Sequence, residues 1–262
     1  MTYRPLGSGI IVLLMLGLAA CQPKPDASAP SAKQSASAQS AQPANSTLPL
    51  IEARVVPVKV SKTESCNAQG CTQYDLQTVQ TNVAWIDQYF LQRIQKSQPN
   101  AFDGKPNQKV NVQPDQPQLN QSSIYVRYLG QNHTIASFAL ENYTYSAGAA
   151  HGLYHQEFVN FDLNKKKRLQ LTDVIKPGVE HALLQQLYDA NALWLEQHEI
   201  DRSRLQLSDN FYYGVNGIIF VYPLYELASY AEGMSELTLP YSLARQLIKT
   251  EYLPALPKYP QP

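Results

Sequence analysis

Three consecutive segments in the middle of the chain decide the fold: residues 122–130 (SSIYVRYLG), 133–145 (HTIASFALENYTY) and 154–163 (YHQEFVNFDL). Each segment alternates apolar and polar side chains, which is the pattern of a strand with one buried and one solvated face. Because only short connections separate them, we predict that they pair as an antiparallel sheet. A loop of small residues joins the last two strands and ends in Ala150, His151 and Gly152.

The flanking segments predict further strands and helices. Residues 51–62 and 71–80 are β-rich and enclose a turn with Asn and Gly, which predicts a hairpin. Apolar residues at helical spacing predict one helix over 82–97, capped by Asn82, and a second over 177–198. Short strands are predicted at 169–171, 211–215, 217–222 and 236–239. The predicted class is α+β: antiparallel sheets with a few packed helices, in two closely associated subdomains after a disordered N-terminal tether.

The N-terminus has the features of an export signal. Arg4 supplies a positive charge, residues 10–18 (IIVLLMLGL) form an apolar core, and two alanines precede Cys21. The core is too short to span about 30 Å of hydrocarbon as a permanent helix. Residues 18–21 (LAAC) resemble the lipobox of bacterial lipoproteins, although an ordinary signal peptide followed by a chance cysteine is the alternative.

The lipobox resemblance implies cleavage before Cys21, a diacylglycerol on its sulfur and usually an acyl chain on the new amino group. Several acyl chains give a lasting anchor, whereas one gives only marginal membrane binding. In Gram-negative lipoproteins an Asp after the cysteine favours the inner membrane, and here that position is Gln22. The expected location is the cell envelope. For a Gram-negative source we expect a lipid anchor in the outer membrane, with the protein facing the periplasm and an exterior orientation as the alternative.

The segment after Cys21 has the composition of a disordered tether. Of the 29 residues from 22 to 50, 22 are Ala, Ser, Pro or Gln, and none is aromatic. Such a segment buries too little apolar surface to offset its ordering entropy, and as a coil it reaches about 30 Å. The predicted organisation is a lipoprotein signal peptide (1–20), a tether (21–50), an N-terminal α+β subdomain (51–158), a C-terminal subdomain (159–250) and a Pro-rich tail (251–262).

The charge balance excludes one class of partner. Lys and Arg total 21, Asp and Glu total 21, and the formal net charge at pH 7 is zero. A protein that binds the phosphate backbone needs a clustered positive surface. We therefore expect no nucleic-acid partner.

A series of short motifs resembles the extracytoplasmic domain of the RsiV-like family. The motifs are ordered and spaced as in the family, and the resemblance covers roughly residues 51–250, most clearly in the last two thirds. They are residues 143–152 (YTYSAGAAHG), 160–163 (NFDL), 169–174 (LQLTDV), 217–220 (GIIF), 222–228 (YPLYELA), 230–233 (YAEG) and 239–241 (LPY).

The resemblance implies an envelope-facing binding module. The best-understood member of the family is a lysozyme-sensing anti-sigma factor, and a related segment, to which the N-terminal subdomain corresponds, lies beside the catalytic domain of some peptidoglycan deacetylases. The expected ligand is therefore a muramidase (lysozyme) or peptidoglycan. The alternatives are a cell-wall hydrolase or deacetylase, and a structural scaffold lipoprotein.

Two cysteines remain if Cys21 is lipidated. Cys66 and Cys71 enclose four residues within the predicted hairpin. The exported location is oxidising, which favours a structural disulfide. A redox dithiol usually has the spacing C-x-x-C, and a metal pair would need further ligands.

The sequence contains no complete catalytic constellation. His151 and His155 form H-x-x-x-H, which in peptidoglycan deacetylases supplies two metal ligands, but no third ligand is identifiable here. There is no G-x-S-x-G, S-x-x-K or H-E-x-x-H motif. A carboxylate pair could come from Glu141, Glu157, Asp162 or Glu226, but spacing alone does not bring them together. We expect no catalysis, no metal and no cofactor.

Tyrosines are the candidates for ligand contact, because Tyr offers apolar area and a hydroxyl at low entropic cost. The alternative is that Tyr simply favours strands. Seven tyrosines lie in or near the resembling motifs: Tyr143, Tyr145, Tyr154, Tyr222, Tyr225, Tyr230 and Tyr241. The predicted binding surface is centred on the small-residue loop and comprises Tyr143, Tyr145, His151, Gly152 and Tyr154.

We predict that the mature protein begins at an acylated Cys21. Intact-mass spectrometry of protein extracted from membranes should find a lipid-sized increment on this residue, and Cys21→Ser should abolish it. An unmodified N-terminus at another position would contradict the prediction.

Overall fold

The computed structural model describes residues 48, 50–68, 70–111 and 119–254. The predicted signal peptide, Cys21 and the predicted tail from residue 255 onwards lie outside this part, as does nearly all of the tether. The strands are β1 (Ala53–Pro57), β2 (Glu64–Asn67), β3 (Gly70–Thr81), β4 (Leu119–Asn132), β5 (Ile135–Tyr145), β6 (Leu153–Asp162), β7 (Lys167–Leu169), β8 (Phe211–Tyr213), β9 (Gly217–Tyr222) and β10 (Ser235–Pro240).

The helices are mostly short. They are α1 (Ala84–Ser97), α2 (Pro99–Phe102), α3 (Leu171–Val174), α4 (Glu180–Ala190), α5 (Ala192–Gln197) and α6 (Tyr241–Leu247), with 3₁₀ helices at Tyr230–Glu232 and Thr250–Tyr252. None of the helices formed by the described residues combines the length and apolar character needed to cross a membrane.

The strands form two sheets, and the predicted α+β class with antiparallel sheets is confirmed. The large sheet has the order β1-β3-β4-β5-β6-β7, with β2 also paired to β3, and the small sheet has the order β10-β9-β8. One pair in the large sheet, β3 with β4, is parallel. Parallel neighbours require a crossover connection. Here α1 and α2 lie in the connection between β3 and β4.

Each sheet contributes to a hydrophobic core. On one face of the large sheet, Ile86, Phe90 and Ile94 of α1 are fully buried. They pack against the sheet residues Leu76, Ile124, Phe138, Leu140, Val159 and Phe161. The second core lies between the small sheet and the C-terminal helices, and includes Leu183, Leu187, Phe211, Phe220, Leu239 and Leu247.

The predicted hairpin is confirmed, but its first strand is interrupted. Both β1 and β2 pair antiparallel with β3. Pro57 ends β1, since proline has no N–H for a strand ladder. Cys66 lies directly opposite Cys71, and the two form the predicted disulfide, with an S–S distance of 2.07 Å.

Two predictions about where elements begin and end were wrong. Asn82 does not cap α1; Val83 occupies the N-cap position. The Asn82 side chain instead bonds the backbone of Leu50 and Glu52 and so holds the segment before β1. The strand predicted at 169–171 ends earlier, because Gln170 and Asp173 form a capping box that starts α3.

The single helix predicted over 177–198 is divided into α4 and α5 at Asn191. The Asn191 side-chain amide donates to the carbonyl oxygen of Thr238 and accepts from its N–H, both at 3.0 Å. It thereby occupies hydrogen-bonding groups on the free edge of β10, where an unpaired strand edge would otherwise be exposed. This tertiary contact accounts for the break. Helix α6, which follows β10, was not predicted.

Asparagine side chains join the two sheets. Asn210 precedes β8, and its amide accepts from the N–H of Phe158 at 2.7 Å and donates to the carbonyl of Gln156 at 2.8 Å. From β6, the amide of Asn160 donates to the carbonyl of Phe211 at 2.7 Å. Asn160 is only 1% exposed. Side-chain amides thus take the place of a backbone ladder between β6 and β8.

We predict that Asn210→Ala lowers the free energy of unfolding by about 1–3 kcal/mol, because it leaves the N–H of the buried Phe158 without a partner. Chemical denaturation measures the change. The matched control is Asn216→Ala, which alters an exposed asparagine in the turn between β8 and β9. Equal effects of the two substitutions would contradict the proposed role of the junction.

Candidate functional site

One face of the large sheet is covered by α1, and the described residues leave most of the other face open. On the open side, the strand register aligns residues of β3, β4, β5 and β6 in rows. The three rows are Gln73–Gln121–Tyr145, Asp75–Ser123–Tyr143–Tyr154 and Gln77–Tyr125–Glu141–Gln156. We call these residues the open face.

The small sheet covers the continuation of this face. In the next row, Ala139 and Phe158 are buried in a cluster with Val221 of β9. The Tyr212 ring stacks on Phe158 with centroids 4.2 Å apart. The open face therefore ends where the small sheet begins.

Three of the predicted surface residues lie on the open face. Tyr143 and Tyr154 are direct neighbours across β5 and β6, and Tyr145 follows two residues after Tyr143. Within the part of the chain that the structure describes, the hydroxyls of all three form no hydrogen bond with protein groups. Burial, and secondly the charge of Glu141, raises the pKa of Tyr154 further above physiological pH, where its hydroxyl is a neutral donor. These hydroxyls are available to a ligand.

The charges on the open face are already engaged by neighbouring groups. Arg127 contacts Glu141 at 2.8 Å, and the amide of Gln156 donates to the same carboxylate at 3.1 Å. The Tyr125 hydroxyl donates to Asp75, and this hydrogen bond raises the pKa of Tyr125. The face therefore offers hydroxyls, amides and rings more than free charge.

The other two predicted residues belong to an aromatic cluster beside the N-terminal end of β6. The His151 ring stacks on Tyr230 with centroids 4.1 Å apart, and the Tyr230 hydroxyl donates to the carbonyl of Gly152 at 2.9 Å. Tyr225 lies 3.4 Å from His151 Nε2 through its hydroxyl. We call His151, Gly152, Tyr225 and Tyr230 the aromatic corner.

The aromatic corner has one closely packed glycine and one strained backbone position. Gly152 packs so closely on Tyr143 that a Cβ there would lie 2.4 Å from the ring, which links the corner to the open face. Tyr225 has a φ of 68°, in the left-handed region that bulky residues avoid, and is 58% exposed. Such strain persists only where surrounding structure enforces it, and it is concentrated at functional sites.

An ion pair holds the 3₁₀ helix that carries Tyr230. His198, at the end of α5, contacts Glu232 at 2.6 Å and stacks on Trp194 with ring centroids 3.9 Å apart. The hydrogen bond with Glu232 raises the pKa of His198, and the same bond lowers the pKa of Glu232. The ion pair between His198 and Glu232 thus holds the aromatic corner against α5, and its strength depends on pH.

A polar groove and an apolar cleft adjoin the open face. A polar groove of about 540 Å³ is lined by residues of β3 and β4, namely Gln73, Tyr74, Asp75, Gln121 and Ser123, together with Thr63 and Glu64. A larger and mainly apolar cleft of about 720 Å³ lies between the sheets, and includes Phe158, Tyr212 and Tyr213. Gln156 belongs to both the open face and the cleft.

The residues considered for metal binding or acid–base chemistry are separated. His155 alternates with Tyr154 and Gln156, so it lies on the opposite side of the sheet from the open face. Among the described residues, three potential metal ligands come together only at Glu64, Cys66 and Cys71, and both of these cysteines are in the disulfide.

The carboxylates are likewise dispersed. Glu141 lies on the open face, whereas Glu157 lies on the α1 side between Arg93 and Arg168. Burial by itself would raise the pKa of Glu157, but its bonds and charge contacts with these arginines lower it overall. Asp162 accepts from the backbone N–H groups of Asn164 and Lys165 in the turn after β6.

The amides of the open face were not among the residues predicted from the sequence. Gln73 and Gln121 carry no motif; only the parallel register of β3 with β4 makes them neighbours. Among the other tyrosines considered, Tyr222 and Tyr241 are buried in the second core, whereas Tyr225 and Tyr230 form the corner. These amides could have been identified from the sequence only if the pairing of β3 with β4 had been predicted.

The comparisons with known proteins concern the C-terminal part and the overall fold. Residues 162–242 match the model of a family described as a protein of unknown function, DUF3298. No curated protein matches the chain. The RsiV-like assignment is compatible with the family match and stays a prediction.

Two crystal structures of DUF3298 family proteins resemble the fold. The one from Pseudomonas aeruginosa PAO1 has 18% identity, covers 79% of this chain and 98% of its own, and gives a TM-score of 0.60. The one from Bacteroides fragilis NCTC 9343 has 15% identity, covers 76% and 94%, and gives a TM-score of 0.56. At these identities the likeness concerns the fold alone.

We predict that the segment around Tyr230 is most protected from hydrogen exchange in weakly acidic solution. The raised pKa of His198 makes its contribution complete below its ordinary value of 6.5 and lost as the pH rises through the raised value. The lowered pKa of Glu232 makes its contribution complete above its ordinary value of 4.5. Protection factors of residues 230–233 should therefore be highest between these values and fall as the pH rises through the raised pKa of His198. In His198→Gln this decline should vanish, and its persistence would exclude the ion pair as the cause.

Proposed function

We propose that this protein is a lipid-anchored binding module of the cell envelope, without catalysis of its own, and that it binds a muramidase or peptidoglycan through the open face and the aromatic corner. The observation that carries the proposal is the placement of Tyr143, Tyr145 and Tyr154 on one uncovered face, with hydroxyls that form no bond within the described part of the chain. The lipid anchor at Cys21 rests on the lipobox resemblance.

The exposed side chains at the start of β6 support a protein or glycan partner. Leu153 is 55% exposed and Tyr154 is 38% exposed, and both adjoin the aromatic corner. Aromatic residues with a polar tip are enriched where binding energy is concentrated, and loops on a rigid sheet commonly carry binding residues. The family resemblance favours a muramidase among the possible protein partners.

The charge distribution indicates how such a complex would form. The chain has no net charge, Arg127 forms an ion pair with Glu141 on the open face, and Asp75 accepts a hydrogen bond from the Tyr125 hydroxyl. Long-range steering of a basic muramidase would therefore be weak, and affinity would come from local contacts. Such binding should depend only weakly on salt.

The experiment compares retention of the mature protein on immobilised lysozyme and on purified sacculi. We expect His151→Ala and Tyr154→Ala each to weaken binding by roughly 1–3 kcal/mol, the range for an interface anchor. Melting temperatures should change little, because both side chains are exposed.

The matched control is Leu193→Ala, which removes a side chain that is 73% exposed on α5. It should bind as wild type. Retention of the wild type on neither matrix, or equal retention of wild type and both site variants, would exclude the proposal.

A further inference from the structure

We infer that the polar groove beside β3 and β4 is a binding site for a neutral saccharide chain. The inference rests on the proposed function and specifies its glycan ligand. The groove has a volume of about 540 Å³. This value lies within the range of small-molecule sites, roughly 300–1,000 Å³.

Two adjacent amides provide the recognition chemistry. Gln73 and Gln121 are direct neighbours in the parallel register, and both are exposed. In the described part of the chain, neither side-chain amide bonds another protein group. Each amide offers two N–H donors and one acceptor oxygen, so the pair can both give and accept hydrogen bonds. Sugar hydroxyls, which also donate and accept, match this pair.

The charges of the groove select against anions. Among the described residues, its lining includes the carboxylates of Glu64 and Asp75 and no Lys, Arg or His. Carboxylates accept hydrogen bonds from hydroxyl groups but repel phosphate or carboxylate ligands. A neutral, hydroxylated ligand is therefore favoured over a nucleotide or an acidic peptide.

An aromatic side chain extends the row. Tyr145 is paired with Gln121 across β4 and β5, so the row runs Gln73, Gln121, Tyr145. The Tyr145 ring gives an apolar surface for the C–H face of a sugar, and its hydroxyl is free of protein partners in the described part of the chain. Amides followed by an aromatic ring along one row fit an extended chain better than a single sugar.

The probe is the uncharged hexamer of N-acetylglucosamine, titrated calorimetrically into the mature protein. We expect Gln73→Ala/Gln121→Ala to weaken binding about tenfold, as for the loss of two neutral hydrogen bonds. The control is Gln92→Ala/Gln95→Ala, which removes two exposed glutamines from α1, on the other face of the sheet, and should bind as wild type. Melting curves verify that both variants are folded.

The outcomes separate this inference from the proposed function. Hexasaccharide binding that is weakened only by the groove variant supports the site. If the wild type binds lysozyme but not the hexasaccharide, or if both double variants behave alike, the saccharide site is excluded and the binding module stands. Binding of neither lysozyme, sacculi nor hexasaccharide excludes both.

Discussion

The junction between β6 and β8 is the constraint on which the rest of the structure depends. β6 is the only described strand that belongs to the large sheet and also bonds to the element beginning the small one, through Asn210 and Asn160. A backbone ladder at this position would have merged the sheets. Side-chain amides satisfy the same buried N–H and carbonyl groups while allowing the small sheet to pack over the face of the large one.

This packing determines which part of the large sheet stays open. The small sheet covers the row of Ala139 and Phe158, and the next row begins with the polar pair Glu141 and Gln156. Sequence composition follows the same division along β5, since its open-side residues change from Ala139 to Glu141, Tyr143 and Tyr145. The open face is therefore a consequence of where the junction lies, and its polar composition removes the cost of leaving it uncovered.

The sequence predicts those features that depend on local patterns. Alternation identified β4, β5 and β6, and the spacing of Cys66 and Cys71 indicated the disulfide. The sequence could not predict contacts between distant segments. The break at Asn191 depends on its bonds with Thr238. Gln73 and Gln121 are neighbours only because β3 and β4 pair in parallel, with α1 in the connection between them. The tyrosines were placed on one surface because their spacing within β5 and β6 is local, whereas Tyr225 and Tyr230 reach His151 only through the tertiary fold.

The dimensions of the open face restrict the kind of ligand that can use all of it. The groove lies at β3 and β4, whereas the aromatic corner adjoins the N-terminal end of β6. Three strand spacings of about 4.8 Å separate β3 from β6, or roughly 14 Å. A single sugar or a small metabolite cannot contact both ends, whereas a glycan strand or a protein surface can. Because hydrogen-bonded ladders fix β3 to β6 in register, such a ligand would meet groups that are already positioned. The ordering cost on the protein side would then fall mainly on exposed glutamine side chains. Because the aromatic corner and the polar groove share no residues, the two should contribute separately to binding.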